Sequence, residues 1–252
     1  VIVESIFWRK DLFRIAAQIR HDATRDTWTE HATYKLERNL ALGAFSSRRM
    51  LESGKTPASL STPCIRMALN SEVNLRRFRF SFPIDILQAV EMYDFKKPTS
   101  TSLGLRTLVN QFVHSHTLVH LDRKSAETPE AAVLVCSESE RKTSLYAVWL
   151  RDIAATFERV ALTEPTSIRR AWNDKRSDFE TTVTEVELDE DRLHHWGFAA
   201  KSEITEAVQR LQGPRKMPPL ADELTRLARE IEEFEALSDE EQEDVIRKLH
   251  EG

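Results

Sequence analysis

Glycine is scarce in this chain, with six in 252 residues. None of the six builds a phosphate-binding loop, and neither GxSxG nor HExxH occurs, so the nucleotide-binding, hydrolase and zinc-protease classes that depend on those motifs are set aside. Cysteine is equally sparse. Cys64 and Cys136 stand far apart in neither a metal nor a redox spacing, which is the pattern of two reduced, partly buried thiols and fits a cytoplasmic protein. No apolar run is long enough to span a bilayer, and there is no internal repeat and no low-complexity segment. The chain begins at Val1 rather than Met, which leaves an upstream segment or a removed signal open.

What is present is charge. Asp, Glu, Lys and Arg make up 31% of the residues, which together with so little glycine predicts a helix-rich soluble protein rather than a sandwich or a doubly wound sheet. The net charge of −5 is unevenly spread: residues 217–252 hold twelve Asp and Glu against four Lys and Arg, leaving an excess of +3 for residues 1–216. The acidity belongs to the tail.

Hydrophobic periodicity supplies the elements. Phe7, Trp8, Leu12, Ile15, Ala16 and Ile19 form one helical stripe, and Trp28, Ala32, Leu36, Leu40, Ala44 and Phe45 continue it in a second helix or a break of the first. Residues 56–63, with two prolines, read as loop. Leu75–Phe82 alternates Arg77, Arg79 and Ser81 with Phe78, Phe80 and Phe82 and predicts a strand, followed by a short helix over 85–93. Residues 105–114 form a helix, with Ser100, Thr101 or Ser102 as its cap. Thr117–Asp122, Ala131–Cys136 and Leu145–Leu150 predict a three-stranded antiparallel meander, and 150–160 a helix leaving it. Residues 163–180 read as loop, 179–188 as a strand and 202–211 as a helix. After a linker at 213–219, Leu220, Leu224, Leu227, Ile231 and Phe234 form a short heptad seam, and a capping box at Ser238 and Glu241 starts another helix. The expected fold is α+β and mainly helical, with an N-terminal helical bundle, a small three-stranded meander and a C-terminal acidic helical hairpin. The divisions fall at 1–162, 163–213 and 217–252.

Polar side chains recur with usable spacing in one place, LGLRTLVNQFVHSHTLVHLD over 103–122. There Arg106, Asn110 and His114 succeed one another every four residues opposite the stripe of Leu105, Leu108, Val109, Phe112 and Val113. The bland account is a helix face and a helix end satisfying backbone groups. A second constellation, His114, His116, His120 and Asp122, has the parity of one strand face and a donor set that suits zinc; a solvated strand face explains it as well, and no metal or cofactor is assigned. Arg48 and Arg49, and Arg77 and Arg79 beside phenylalanines, are candidates for nucleic-acid phosphates, or for the acidic tail folding back over them.

Long N-terminal helices followed by Asn110-x-x-x-His114 within RTLVNQFVHS resemble the HEPN superfamily of helical-bundle proteins. Active members are metal-independent ribonucleases of toxins and antiviral defence, with four to six residues between an arginine and the histidine; here seven residues separate Arg106 from His114. The resemblance implies His114 as general acid or base, Asn110 and Arg106 as its companions, RNA as substrate and a homodimer. Two functions are therefore expected: a non-catalytic interaction and assembly protein with a HEPN-like body, in which residues 220–249 are a candidate surface for a protein partner, or a metal-independent HEPN-like ribonuclease.

Overall fold

The computed structural model describes residues 5–70, 86–121, 130–174, 178–187, 189–212, 220–238, 241, 242 and 245. The two N-terminal stripes become α1 (Ile6–Asp22) and α2 (Glu30–Glu52). Thr29 caps α2 by accepting the Ala32 N–H at 3.2 Å, and Glu30 in the first turn complements the helix dipole. Leu12, Ala16, Ile19, Leu36, Leu40 and Ala44 are all at most 1% exposed. Phe7 and Phe45, assigned to the same stripes, are 63% and 46% exposed. Phe45 follows Ala44 by one residue and so stands about 100° round the helix from the buried line.

The remaining elements run β1 (Ser61–Ala68), α3 (Ile86–Met92), β2 (Thr99–Gly104), α4 (Leu105–Val113), β3 (Ser115–Leu121), β4 (Ala132–Ser137), β5 (Ser144–Trp149), α5 (Leu150–Leu162), β6 (Glu164–Asn173), β7 (Asp178–Glu187), α6 (Glu190–His195), α7 (Lys201–Gln212) and α8 (Leu220–Glu235). The meander β3-β4-β5 is only part of a five-stranded antiparallel sheet of order β2-β1-β5-β4-β3. Every residue of β4 and β5 is buried, because both faces of the sheet are covered. Val133, Val135, Tyr146 and Val148 face one core with α1, α2, α4 and α5. Leu134, Cys136, Leu145, Ala147 and Trp149 face a second, which takes in Met92 and Phe95 from the α3 side and Leu224 and Ala228 of α8.

The chain is thus α+β, but the expected helical bundle with a three-stranded meander is overturned: the sheet separates the helices into two layers. The additional strands are β1 and β2. β2 is an edge on which Thr99–Ser102 are exposed and only Leu103 is buried, so it lacks the alternation that marks a strand; β1 contains Pro63 within a Ser- and Thr-rich stretch. A second correction concerns 163–180, where β6 pairs with β7 in a separate two-stranded ladder instead of forming a loop. The strand expected over 75–82 lies outside the described residues.

Two buried charges fasten α1 to α5. Arg9, 2% exposed, donates through Nη1 to the carbonyls of Val160 (2.9 Å), Ala161 (3.2 Å) and Thr163, and through Nη2 to that of Lys55 at 2.6 Å. The first three are carbonyls that the end of α5 leaves without partners. Burial pulls the Arg9 pKa down to about 10, with Glu164 opposing, so the guanidinium stays charged at neutral pH. Glu158, 1% exposed, receives Arg20 at 2.5 Å and Arg210 of α7 at 3.2 Å. The tail is tied to the other layer, where Lys96 meets Glu232 at 2.9 Å. The capping box at its end is formed, with the Ser238 N–H donating to Glu241 at 2.9 Å; most of the helix expected beyond it lies outside the described residues.

Candidate functional site

β2 runs directly into α4, whose N-cap is Gly104, not one of the expected Ser100–Ser102. Leu105, Leu108, Val109 and Phe112 are buried against α2 and the sheet, and this fixes what the helix turns outward: Arg106 is exposed, Asn110 half-buried and His114 exposed. His114 is the C-cap, its backbone N–H reaching the Asn110 and Phe112 carbonyls. Eight residues of helix place Arg106 about 12 Å further back along the axis. The three share a face, but Arg106 is too far along it to hold a group in contact with His114.

A different arginine takes that place. Arg48, near the end of α2, donates from Nη1 to Nε2 of His114 at 2.9 Å. A guanidinium has only donors, so Nε2 is the acceptor in this contact. Arg48 also donates from Nε to Glu52 at 2.9 Å, and Arg49 lies 3.6 Å from the same carboxylate. Glu52 thereby offsets the two arginines. The structure joins Arg48 and Arg49, expected as phosphate ligands, to the end of the helix that carries His114; Arg77 and Arg79 lie outside the described residues.

The carbonyl of His114 accepts the Glu138 N–H at 3.1 Å, which leads to a second His–Arg contact. Arg141 donates to His116 Nε2 at 2.7 Å and to Glu138 at 2.7 Å. Burial, followed by the Arg141 charge, lowers the His116 pKa, with Glu138 opposing. His120 lies against Trp28 with ring centroids 3.7 Å apart. His114 therefore belongs to a helix end and His116 and His120 to β3, with different partners, and Asp122 is outside the described residues. Among the described residues no group of three or more His, Cys, Asp or Glu is placed to hold a metal ion.

Two hollows among the described residues lie elsewhere. α1 and α2 run antiparallel and leave a groove between them. One hollow of about 550 Å³ is lined by Phe7, Trp8, Ile15, Leu42 and Phe45 among others. The next, of about 440 Å³, is lined by His21, Asp22, Arg25, Lys35 and Arg38. Both share Gln18 and Asn39, whose side chains are hydrogen-bonded at 3.0 Å. No family model, curated protein or solved structure matches this chain.

The site therefore has to be judged on its own chemistry. An imidazole can accept a proton and an adjacent guanidinium can hold a phosphate, which are two of the groups that a metal-free phosphodiester cleavage needs. Glu52 already engages that guanidinium, and an incoming phosphate would have to displace or share the contact. Glu52, Glu138 and Arg141 were not singled out from the sequence. Glu52 sits four residues after Arg48, a readable helical pair; Glu138 and Arg141 lie in the β4–β5 turn, where nothing local marks them.

Proposed function

We propose that this chain is a cytoplasmic interaction and assembly protein that works by presenting the α1–α2 face to a partner. The observation that carries this reading is where the large apolar side chains are exposed. Of the six in that condition among the described residues, Phe7, Tyr34, Leu42 and Phe45 are on α1 and α2, and three of those four line the groove. Clustering of this kind marks interaction surfaces, whereas scattered exposed side chains do not. Two reduced, buried cysteines support the compartment. No helix among the described residues is long and apolar enough to cross a membrane.

A second reading, the metal-independent HEPN-like ribonuclease, is favoured by the contact of Arg48 with His114. It brings an imidazole and a phosphate-binding cation together at one exposed point. The test is incubation of a mixed RNA pool in excess EDTA with the intact protein, His114→Ala and Arg48→Ala, each checked for folding by circular dichroism. The interaction reading expects no cleavage by any of the three. Cleavage that persists in EDTA and is lost in both variants would replace it with the ribonuclease.

A further inference from the structure

The groove is not uniform along its length. At one end it is aromatic, with Phe7, Trp8 and Phe45, and Trp8 and Phe45 have ring centroids 6.2 Å apart. At the other it is basic. The groove has one carboxylate towards each end and both are engaged, Asp11 at the aromatic end by Arg14 at 3.5 Å and Asp22 at the basic end by Arg25 at 2.8 Å; Arg38 lines both hollows. Lys35 and Arg38 are exposed and have no ion-pair partner among the described residues. The surface therefore offers uncompensated positive charge at one end and unsatisfied apolar area at the other.

The α1 helix has 17 residues, so the groove beside it is about 25 Å long, the length of a helix of four to five turns. Two antiparallel helices side by side present ridges into which a third helix packs, the helix-in-groove mode of recognition. A second copy of this chain would bring Lys35 and Arg38 against their own kind if the same ends met. Resting on the interaction reading above, we propose that the α1–α2 groove binds an acidic amphipathic helix of a partner protein. Its large apolar side chains, at i, i+3, i+4 and i+7, enter the Phe7, Trp8 and Phe45 end, and Asp or Glu residues in one terminal turn meet Lys35 and Arg38.

The experiment uses the full chain as bait for a phage-displayed library of 16-residue helices with a fixed apolar stripe and randomised polar positions. Two bait variants accompany it: Phe7→Ser with Phe45→Ser, and Lys35→Glu with Arg38→Glu. All four positions are exposed, and circular dichroism confirms that the variants fold. The expected result is enrichment of Asp and Glu in one terminal turn. The leading peptide, synthesised with fluorescein, should bind about tenfold more weakly to the charge-reversed protein, the sum of two exposed ion pairs. It should lose binding to the protein without the two phenylalanines, and its Lys-substituted counterpart should prefer the charge-reversed protein. Enrichment no greater than on the phenylalanine-deficient bait would overturn the proposal, as would selection of Lys and Arg. Sedimentation equilibrium gives the remaining outcome: a dimer that Phe45→Glu converts to monomer would make the occupant a second copy and refute an acidic partner. Cleavage of RNA dependent on His114 would remove the interaction reading itself, and is scored separately from peptide binding.

Discussion

Replacing Gly43 by alanine sets two effects against each other. In an isolated helix alanine is favoured over glycine by about 1 kcal/mol, so helix propensity alone predicts a more stable protein. The packing predicts the reverse. A methyl group at this position of α2 would overlap Cε2 of Phe157 on α5 and lie 2.7 Å from Cδ2 and 3.0 Å from Cζ. Phe157 is 0% exposed, and Leu40 and Ala44 in the same core are at most 1% exposed, so the ring has no free space to enter. Overpacking of a filled core costs about 1–3 kcal/mol; taking the upper half of that range and subtracting the propensity gain leaves a net loss of about 1–2 kcal/mol. For a chain of this size that is roughly 3–6 °C in Tm. Thermal unfolding followed by circular dichroism measures it, with Phe157→Leu and the double variant as a cycle. The double variant should be more stable than the sum of the singles by about 1 kcal/mol. A Tm for Gly43→Ala equal to or above that of the parent would refute the close approach of α2 to α5.

Arg9→Met keeps the aliphatic stem but strips the donors from the carbonyls of Val160, Ala161, Thr163 and Lys55; urea denaturation should show a loss of about 3 kcal/mol at unchanged m, and a loss below about 1 kcal/mol would refute this role. The folded state holds the His116 pKa below 6.5, so the unfolded chain binds more protons there: stability should rise with pH up through the folded pKa towards 6.5 and fall on acidification through the same window. His116→Gln should flatten that limb in pH-dependent urea titrations, and an unaltered profile would reject the assignment. Burial, with Asp152 adding to it, pushes the Cys64 thiol up to about 12, and burial also raises Cys136; a chromogenic disulfide reagent at pH 8 should leave both thiols unmodified over minutes in the native protein and titrate two in denaturant.

Elements that bury a full stripe or both faces of a strand were legible in the sequence. α1, α2, α4 and α5 announce themselves by apolar residues three and four apart, and β3, β4 and β5 by short apolar runs between polar turns. β2 was not legible because an edge strand that buries only Leu103 has no second buried position to set a period. Without β1 and β2 the meander looks complete, and the helices look like one bundle instead of two layers. At the site, His114 and Asn110 could be found because four-residue spacing puts them on one helix face. The arginine that meets His114 could not be found that way. Arg48 precedes it by 66 residues, and only the docking of α2 on α4 brings the two together. The groove was illegible for a related reason: Phe7 and Phe45 fit an apolar stripe, and which stripe residues remain uncovered depends on how closely α1 and α2 approach.

Helix α2 displays both candidate surfaces at once, and comparing them separates what folding requires from what it does not. Leu36, Leu40, Gly43 and Ala44 supply its core-facing side. Arg48 binds Glu52 and reaches His114, a set of contacts that ties the end of α2 to the end of α4 and has a structural role whether or not any substrate exists. Arg38 and Leu42 make no comparable set of contacts, and Phe45 meets only the Trp8 ring, 6.2 Å away between centroids, while 46% of it stays exposed. Exposed substitutions away from caps and cores change stability by only about 0.5 kcal/mol, so a polar residue at 42 would serve the fold equally well while removing an aggregation hazard. Apolar side chains in that position are what the proposed partner helix would cover. The contact between Arg48 and His114 has an explanation inside the chain, and for that reason the groove carries more weight for function than the histidine does.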